Sequence, residues 1–429
     1  MQDQLAGSSL SARARWAAHA PISMLMQQAL DNPGLISLAA GFVDPHSLPA
    51  AASHSAALSL LADPERARSA LQYGATRGDT GLREQILNRL LAHDAADPEG
   101  PPRAAAPSVD QVVLTAGSNQ LLALLADALL DPGDFVVCDA PSYFVFTGLV
   151  ESVGASCIGV SADADGMRLD ALEQVLEAHA AAGTLRRIKA IYVVSYFDNP
   201  RGVSLARSRR AALLALAERY SRDHRIFVIE DAAYRELRFS GPDQASLRAY
   251  DQSAESVIYA GTFSKSFSPG LRVGFGVLPK TLLPAVASIK GNIDFGSPYL
   301  NQCLLSEVLR LGLYEPHVEL LRKVYAAKAA SMLSALDEHV APLGICSYER
   351  PKGGLYVWLT LPSHIATGPQ SQLFARAREL GVLYVPGEYC FPGGSQRQTH
   401  SMRLSFGVQN EERIQLGVQK LAQAIQASR

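Results

Sequence analysis

The chain has 429 residues, 48% of them apolar, and a formal net charge of -2 at pH 7. Such an apolar share excludes a disordered chain, and the small net charge offers nothing to attract nucleic acid or anionic lipid, so small molecules are the expected partners. The length exceeds one domain of about 150 residues, and no segment approaches the roughly 18 uninterrupted apolar residues of a membrane span.

Ser8 to Arg15 is rich in Ser, Ala and Arg, a composition shared by transit peptides and by amphipathic arms of mature proteins. A helix is expected over 22–30, followed by the apolar run Leu35-Ile36-Ser37-Leu38 and Gly41. From about Leu58 the pattern becomes an alternation of strands and helices. Strands are expected over 111–114, 135–139, 156–160, 190–194, 226–230, 257–260 and 273–278, with helices over 121–130, 169–181 and 207–220 between them. That alternation argues for an α/β fold with a large, mostly parallel, seven-stranded sheet sandwiched by helices. The Ala/Pro/Asp tract 93–107 reads as a surface excursion. After about Asn301, two long helical patterns lead to short strands at 345–348, 355–359, 383–385 and 402–406, then a last helix over 411–426. This reads as a smaller α+β C-terminal domain, giving an arm and small-domain segment over 1–50, a large domain over 51–303 and a small domain over 304–429.

The five cysteines are odd in number and lack C-x-x-C spacing, and the ten histidines show no H-E-x-x-H pairing. Neither a disulfide framework nor a metal site is indicated, and a reducing, cytoplasmic location is the simplest expectation.

Polar residues gather where the apolar runs end. Gly117-Ser118-Asn119-Gln120 joins a strand to a helix, where free N–H groups make an anion site; an ordinary Ser N-cap has the same pattern. Tyr143 follows the strand ending at Asp139, at a sheet edge where an aromatic stacks on a flat ligand or simply joins the core. Asp198-Asn199-Pro200-Arg201-Gly202 trails another strand, where an amide donates to a ligand oxygen or merely shapes a turn. Asp231 ends the strand Val228-Ile229-Glu230, where a buried carboxylate requires a cation. Tyr234 stands three residues on. The loop from Gly261 to Arg272 carries one lysine (Lys265), four hydroxyls and one arginine. Hydroxyls and a guanidinium suit a phosphate, and an enclosed lysine suits a Schiff base because desolvation frees its amine. Arg403 sits in an alternating strand, where it either faces outward or binds a carboxylate from within.

Taken in order, the stretches 36–49, 73–83, 117–120, 141–143, 199–202 and 231–234, with Ser264-Lys265, Arg272 and Arg403, resemble the fold-type-I, pyridoxal 5'-phosphate (PLP)-dependent aminotransferases of class I/II over almost the whole chain. The segments PISMLMQQAL, ISLAAGFVDP and EDAAYREL look most like the α-aminoadipate/kynurenine aminotransferase branch, whose arm begins where this one does. The resemblance implies transfer of an amino group from an α-amino acid to a 2-oxo acid, expected to be 2-oxoglutarate, in ping-pong half-reactions. It implies that Lys265 holds PLP as a Schiff base and shuttles the proton at Cα, that Asp231 pairs with the pyridine nitrogen, and that Tyr143 stacks on the ring. Asn199 and Tyr234 would hold the phenolic oxygen. Ser118, Asn119, Thr262 or Ser264, and Arg272 would hold the phosphate, with Tyr73 reaching the phosphate of a neighbouring subunit in a homodimer with shared sites. Arg403 would bind the substrate carboxylate with Asn199 and the backbone at Gly41.

The chain departs from the resemblance at Arg201, where Thr, Ser or Ala is usual, and at Asp198. Either these charges pair at the loop surface, or Arg201 lines the cleft and recognises a second acidic group. Lyase, cyclase or other diverted chemistry on the same scaffold is the alternative activity. A non-enzymatic PLP sensor is a third reading, disfavoured because no basic helix-turn-helix segment precedes Ile36.

Overall fold

Apolar runs rich in Val and Ile form central strands because both faces of a helix-covered parallel sheet are buried. In the computed structural model, residues 9–17, 32, 34–101, 106–393 and 397–428 are described. After β1 (Ile36–Ser37) come β2 (Val112–Thr115), β3 (Phe135–Ala140), β4 (Ser156–Asp163), β5 (Gly166–Met167), β6 (Ile188–Val194), β7 (Phe227–Asp231), β8 (Val257–Thr262) and β9 (Gly274–Val277). The last eight form one sheet in the order β2-β9-β8-β7-β6-β3-β4-β5. β4, β3, β6, β7 and β8 run parallel, β9 is antiparallel to both its neighbours, and β5 folds back on β4. All seven expected strands are present. The eighth, β5, is two residues long, too short to show a hydrophobic period.

Alternate residues of the parallel strands enter different cores. Val136, Cys138, Tyr192 and Ile229 face one apolar cluster, while Val137, Ile191, Val193 and Val228 face the other. Helices Ser118–Leu129, Phe144–Ser152, Leu169–Ala181 and Arg207–Tyr220 cover these faces. Parallel pairing therefore brings the carboxyl ends of β3, β6, β7 and β8 to one edge, where open α/β sheets hold ligands.

Helices Tyr299–Arg310 and Tyr314–Ala335 lead to β10 (Ser347–Tyr348), β11 (Tyr356–Thr360), β12 (Val382–Leu383), β13 (Val385–Pro386) and β14 (Ser401–Ser405). A second, antiparallel sheet has the order β10-β11-β14-β13, whereas β12 pairs with β1 in parallel. The single strand expected over 383–385 is thus two strands serving two sheets. Tyr384 marks the switch, its hydroxyl donating to the Thr367 carbonyl at 2.9 Å. Helix Glu411–Gln426, capped by the Asn410 side chain, closes over β1, with Gly417 against Ile36 and Leu38.

The arm contributes the short helix Ala12–Trp16, capped by Ser11 and paired through Arg13 to Asp127 at 2.7 Å. The helix expected over 22–30 lies outside the described residues. Among the described residues, no helix is long and apolar enough to cross a membrane.

Candidate active site

The loop after β8 turns sharply, with the Phe267 and Ser268 amides both donating to the Phe263 carbonyl. This turn sends Lys265 inward, where its Nζ donates to the Gly41 carbonyl at 2.8 Å. Burial lowers the Lys265 pKa; Tyr356 opposes the shift, while Arg403 and Arg272 add to it. A lysine so held reaches the neutral, nucleophilic form more easily than one in water.

Lys265 opens onto a cavity of about 190 Å³ that is also lined by Tyr143, Asn199, Tyr234, Tyr356 and Arg403. Arg403 points inward from β14 and is almost completely buried. Its Nη1 donates to Asn199 Oδ1 at 2.8 Å and its Nη2 to the Ala39 carbonyl at 2.7 Å. The Nε is buried without a protein partner, and the guanidinium lies 4.4 Å from the centre of the Tyr356 ring. The outward-facing alternative for this arginine is therefore wrong, and a donor remains open for a carboxylate. Gly41 is required by packing, since a Cβ there would come 2.6 Å from Tyr356 Oη.

Asp231, at the end of β7, is buried; its Oδ2 accepts from Tyr192 Oη at 2.9 Å and its Oδ1 from the Ala233 amide at 3.0 Å. Burial lifts its carboxyl to about 6 despite those bonds, and no basic side chain is among the groups acting on it. A protonated ring nitrogen would supply the missing cation. Tyr234 and Tyr356 meet hydroxyl to hydroxyl at 3.1 Å.

A second cluster forms around the start of helix Ser118–Leu129. Gly117, with φ 81, is the N-cap, so Ser118 and Asn119 lie inside the first turn and the plain N-cap reading of Ser118 does not hold. Gly274 pairs with Thr115 on one side and Thr262 on the other, and it lies so close that a Cβ would sit 2.4 Å from Ser118 N. Thr262 Oγ1 contacts Ser264 Oγ at 3.0 Å, and Arg272 Nη2 donates to the Ala116 carbonyl at 2.9 Å. Amides, hydroxyls and a guanidinium thus converge as a cup suited to a phosphate.

Two sequence expectations end differently. Arg201 is absent from the cavity wall. Its Nε and Nη2 donate to Asp198 Oδ2 at 3.1 and 3.0 Å, with side chains 8% and 4% exposed, so the pair is buried and not at the loop surface. Recognition of a second acidic group by Arg201 is excluded by this placement. Tyr73 stands apart from the cavity, 81% exposed, with its ring edge-on to Phe295 at 5.5 Å. The sequence reading missed Tyr356 and Tyr192, because a tyrosine in an apolar strand looks like core. The available signal was that a buried phenol requires a polar partner.

The fit to a phosphorylated pyridine aldehyde rests on Lys265, the cation-less Asp231, the phosphate cup and the open Arg403 Nε. The family model described as "Aminotransferase class I and II" matches residues 34–421. The 2-aminoadipate transaminase of Thermus thermophilus is 35% identical over 92% of this chain and 91% of its own. The solved kynurenine aminotransferase of Pyrococcus horikoshii, in complex with PMP, superposes with a TM-score of 0.87 at 31% identity, covering 98% of this chain and 97% of that one. The α-aminoadipate aminotransferase LysN of Thermus thermophilus, complexed with N-(5'-phosphopyridoxyl)-L-leucine, gives 0.83 at 32% identity, covering 98% and 97%.

Proposed function

The chain belongs to the class I and II aminotransferases, in the aminoadipate/kynurenine branch, and we propose that its amino donor is an α-amino acid with an apolar or aromatic side chain. It is a PLP-dependent enzyme of fold type I that moves an amino group between an α-amino acid and a 2-oxo acid. The lyase and cyclase alternative has no support.

PLP, once bound, supplies the electron sink that makes a Cα–H acidic. Lys265, buried and with its amine pKa lowered, would hold the cofactor and would carry the proton at the substrate Cα. Asp231, fixed by Tyr192, would hold the ring nitrogen; Asn199 and Tyr234 would hold the phenolic oxygen, with Tyr143 against the ring. Ser118, Asn119, Thr262, Ser264 and Arg272 would grip the phosphate, and Tyr73 that of a partner subunit. Arg403, oriented by Asn199 and Ala39, binds the α-carboxylate beside the Gly41 backbone. These residues line one cavity and would fix the substrate and cofactor relative to one another.

The observation that carries the donor class is the rest of the cavity wall. It includes Phe42, Phe144, Val145 and Val385, with Ala39, Ala40 and Gly41. Arg403 is the only arginine on that wall among the described residues, and the sequence from Arg15 to Arg66 contains no lysine or arginine between those two. On the described wall of this chain a side-chain carboxylate would find no basic group beyond Arg403 and Lys265, both of which have other work. The test is a single-turnover spectrum against a donor panel. Leucine, phenylalanine and tyrosine should show kcat/KM at least ~10-fold above aspartate, glutamate and 2-aminoadipate; preference for the acidic donors overturns the assignment. The same cavity must admit the acceptor, so a neutral 2-oxo acid should serve at least as well as 2-oxoglutarate.

The working unit is a homodimer, supported by an apolar patch of Leu71, Tyr73, Ile293 and Phe295, each more than half exposed. A reducing, cytoplasmic setting is the location we propose, on the odd number of cysteines and their lack of C-x-x-C spacing. The limit near 50 is supported by the parallel pairing of β1 with β12, which joins the first segment to the C-terminal part, whereas position 303 falls within helix Tyr299–Arg310.

A further inference from the structure

We propose that Arg201 is a positioning residue: tied to Asp198 and to the Asp163 carbonyl, it braces the loop presenting Asn199 and thereby sets the angle at which Arg403 meets the substrate carboxylate. The inference rests on the function proposed above.

Asn199 stands between Asp198 and Pro200 at the apex of a loop closed by two backbone bonds, Asp198 N to Val203 O and Gly202 N to Asp198 O, both 2.7 Å. Asp198 is the loop's anchor. Its Oδ1 accepts from the Arg201 amide at 3.1 Å and the Val203 amide at 3.0 Å, and its Oδ2 accepts from Arg201 Nε and Nη2. The remaining arm of the guanidinium, Nη1, donates to the Asp163 carbonyl at the end of β4 at 2.9 Å. The brace therefore ties the Asn199 loop to the edge of the large sheet.

The loop also presses on β11. Gly202 has φ 73, and a Cβ there would lie 2.7 Å from the Tyr356 carbonyl. Tyr356 is the ring beneath Arg403, and Asn199 is the acceptor beside it. Arg403 is thus steadied on two sides by groups whose positions depend on one loop. A buried ion pair is weak evidence for stability, because desolvation offsets its attraction. Placed directly behind an amide that orients a substrate-binding arginine, it has a geometric use instead.

Arg201 serves a third group as well. Asp139, at the end of β3, is buried, and its Oδ1 has no protein hydrogen-bond partner. Arg201 is its principal attractive charge and Asp198 its repulsive one, with Arg209 more weakly attractive. The Asp139 segment continues into Tyr143, which lines the cavity.

The test uses the PLP-loaded enzyme and two variants. Arg201→Ala removes the brace and leaves Asp198 uncompensated. The double variant Asp198→Asn/Arg201→Gln keeps the shape without the charges and protects against a folding failure. Single-turnover rates are measured with a preferred amino acid and with the corresponding amine lacking the α-carboxylate. The expected result for either variant is at least a ~10-fold loss of kcat/KM for the amino acid, mainly in KM, with a several-fold smaller loss for the amine, which reads the part of the effect that passes through the Asn199 contact to the cofactor. Equal losses for both compounds, or a lowered Tm with unaltered amino-acid KM, would overturn the proposal. A wild-type enzyme inert toward every amino acid, yet carrying PLP on Lys265, would instead overturn the function on which it rests.

Discussion

Asp139 and Asp231 end neighbouring parts of one sheet, and burial raises both carboxyls, to about 7 and about 6. A carboxyl held above its unfolded value of about 4 binds more protons folded than unfolded, so stability falls as pH rises from about 4 through the folded value and then levels. Asp139→Asn removes that penalty. In thermal unfolding of the cofactor-free protein, the variant should gain on wild type by on the order of 2–4 kcal/mol at pH 8. Most of that gain should vanish at pH 4; equal effects at both pH values would contradict it. Gly41→Ala drives a methyl against Tyr356 Oη, and amino-acid KM should rise roughly 10-fold with little change in cofactor binding. Lys265, Asp231 and Arg403 were legible in the sequence because polar residues at the ends of apolar strands stand out against their surroundings. Tyr192 and Tyr356 were not, since their hydroxyls find partners only through the fold. Arg201 was legible as half of an ion pair, whereas its burial depended on the loop closing over it.

Among the elements, those with a full period agreed best with sequence expectation. Helices Leu169–Ala181, Arg207–Tyr220 and Glu411–Gln426 have the expected bounds, the first and last marked by an amphipathic pattern. Strands of two residues carry no period, which is why β5 and the division between β12 and β13 escaped notice. The β8–β9 hairpin matters most to the site, because Gly274 lets the helix Ser118–Leu129 begin against the sheet. Gly274→Ala places a Cβ 2.4 Å from backbone atoms of Gly117 and Ser118, so the helix start must shift. PLP affinity measured by equilibrium titration should fall at least ~10-fold. Gly148, inside helix Phe144–Ser152, has nothing within 4 Å of an added Cβ. Gly148→Ala should therefore stabilise by about 0.5–1 kcal/mol in denaturant unfolding, and destabilisation would count against the packing described.

At the scale of the whole molecule, the exposed patch around Tyr73 and Phe295 makes assembly a testable consequence. Sedimentation should give a dimer, and Leu71→Glu combined with Ile293→Glu should shift it to monomer with weaker PLP retention. An unchanged sedimentation coefficient would remove this patch from the interface. The two larger sheets could be read from the order of strands and helices. Their meeting at Arg403 and Asn199 could not, because it depends on contacts between residues far apart in the chain.

That distance has its own consequence for biosynthesis. Lys265 reaches back 224 residues to Gly41, and Arg403 reaches back 364 residues to Ala39. A chain emerging from the ribosome therefore displays its lysine and phosphate cup while the arginine is still unmade. The lysine loop and the cup are thus synthesised well before the strand that carries Arg403. A chain ending before Ser401 would keep the lysine loop and lack β14, and with it Arg403.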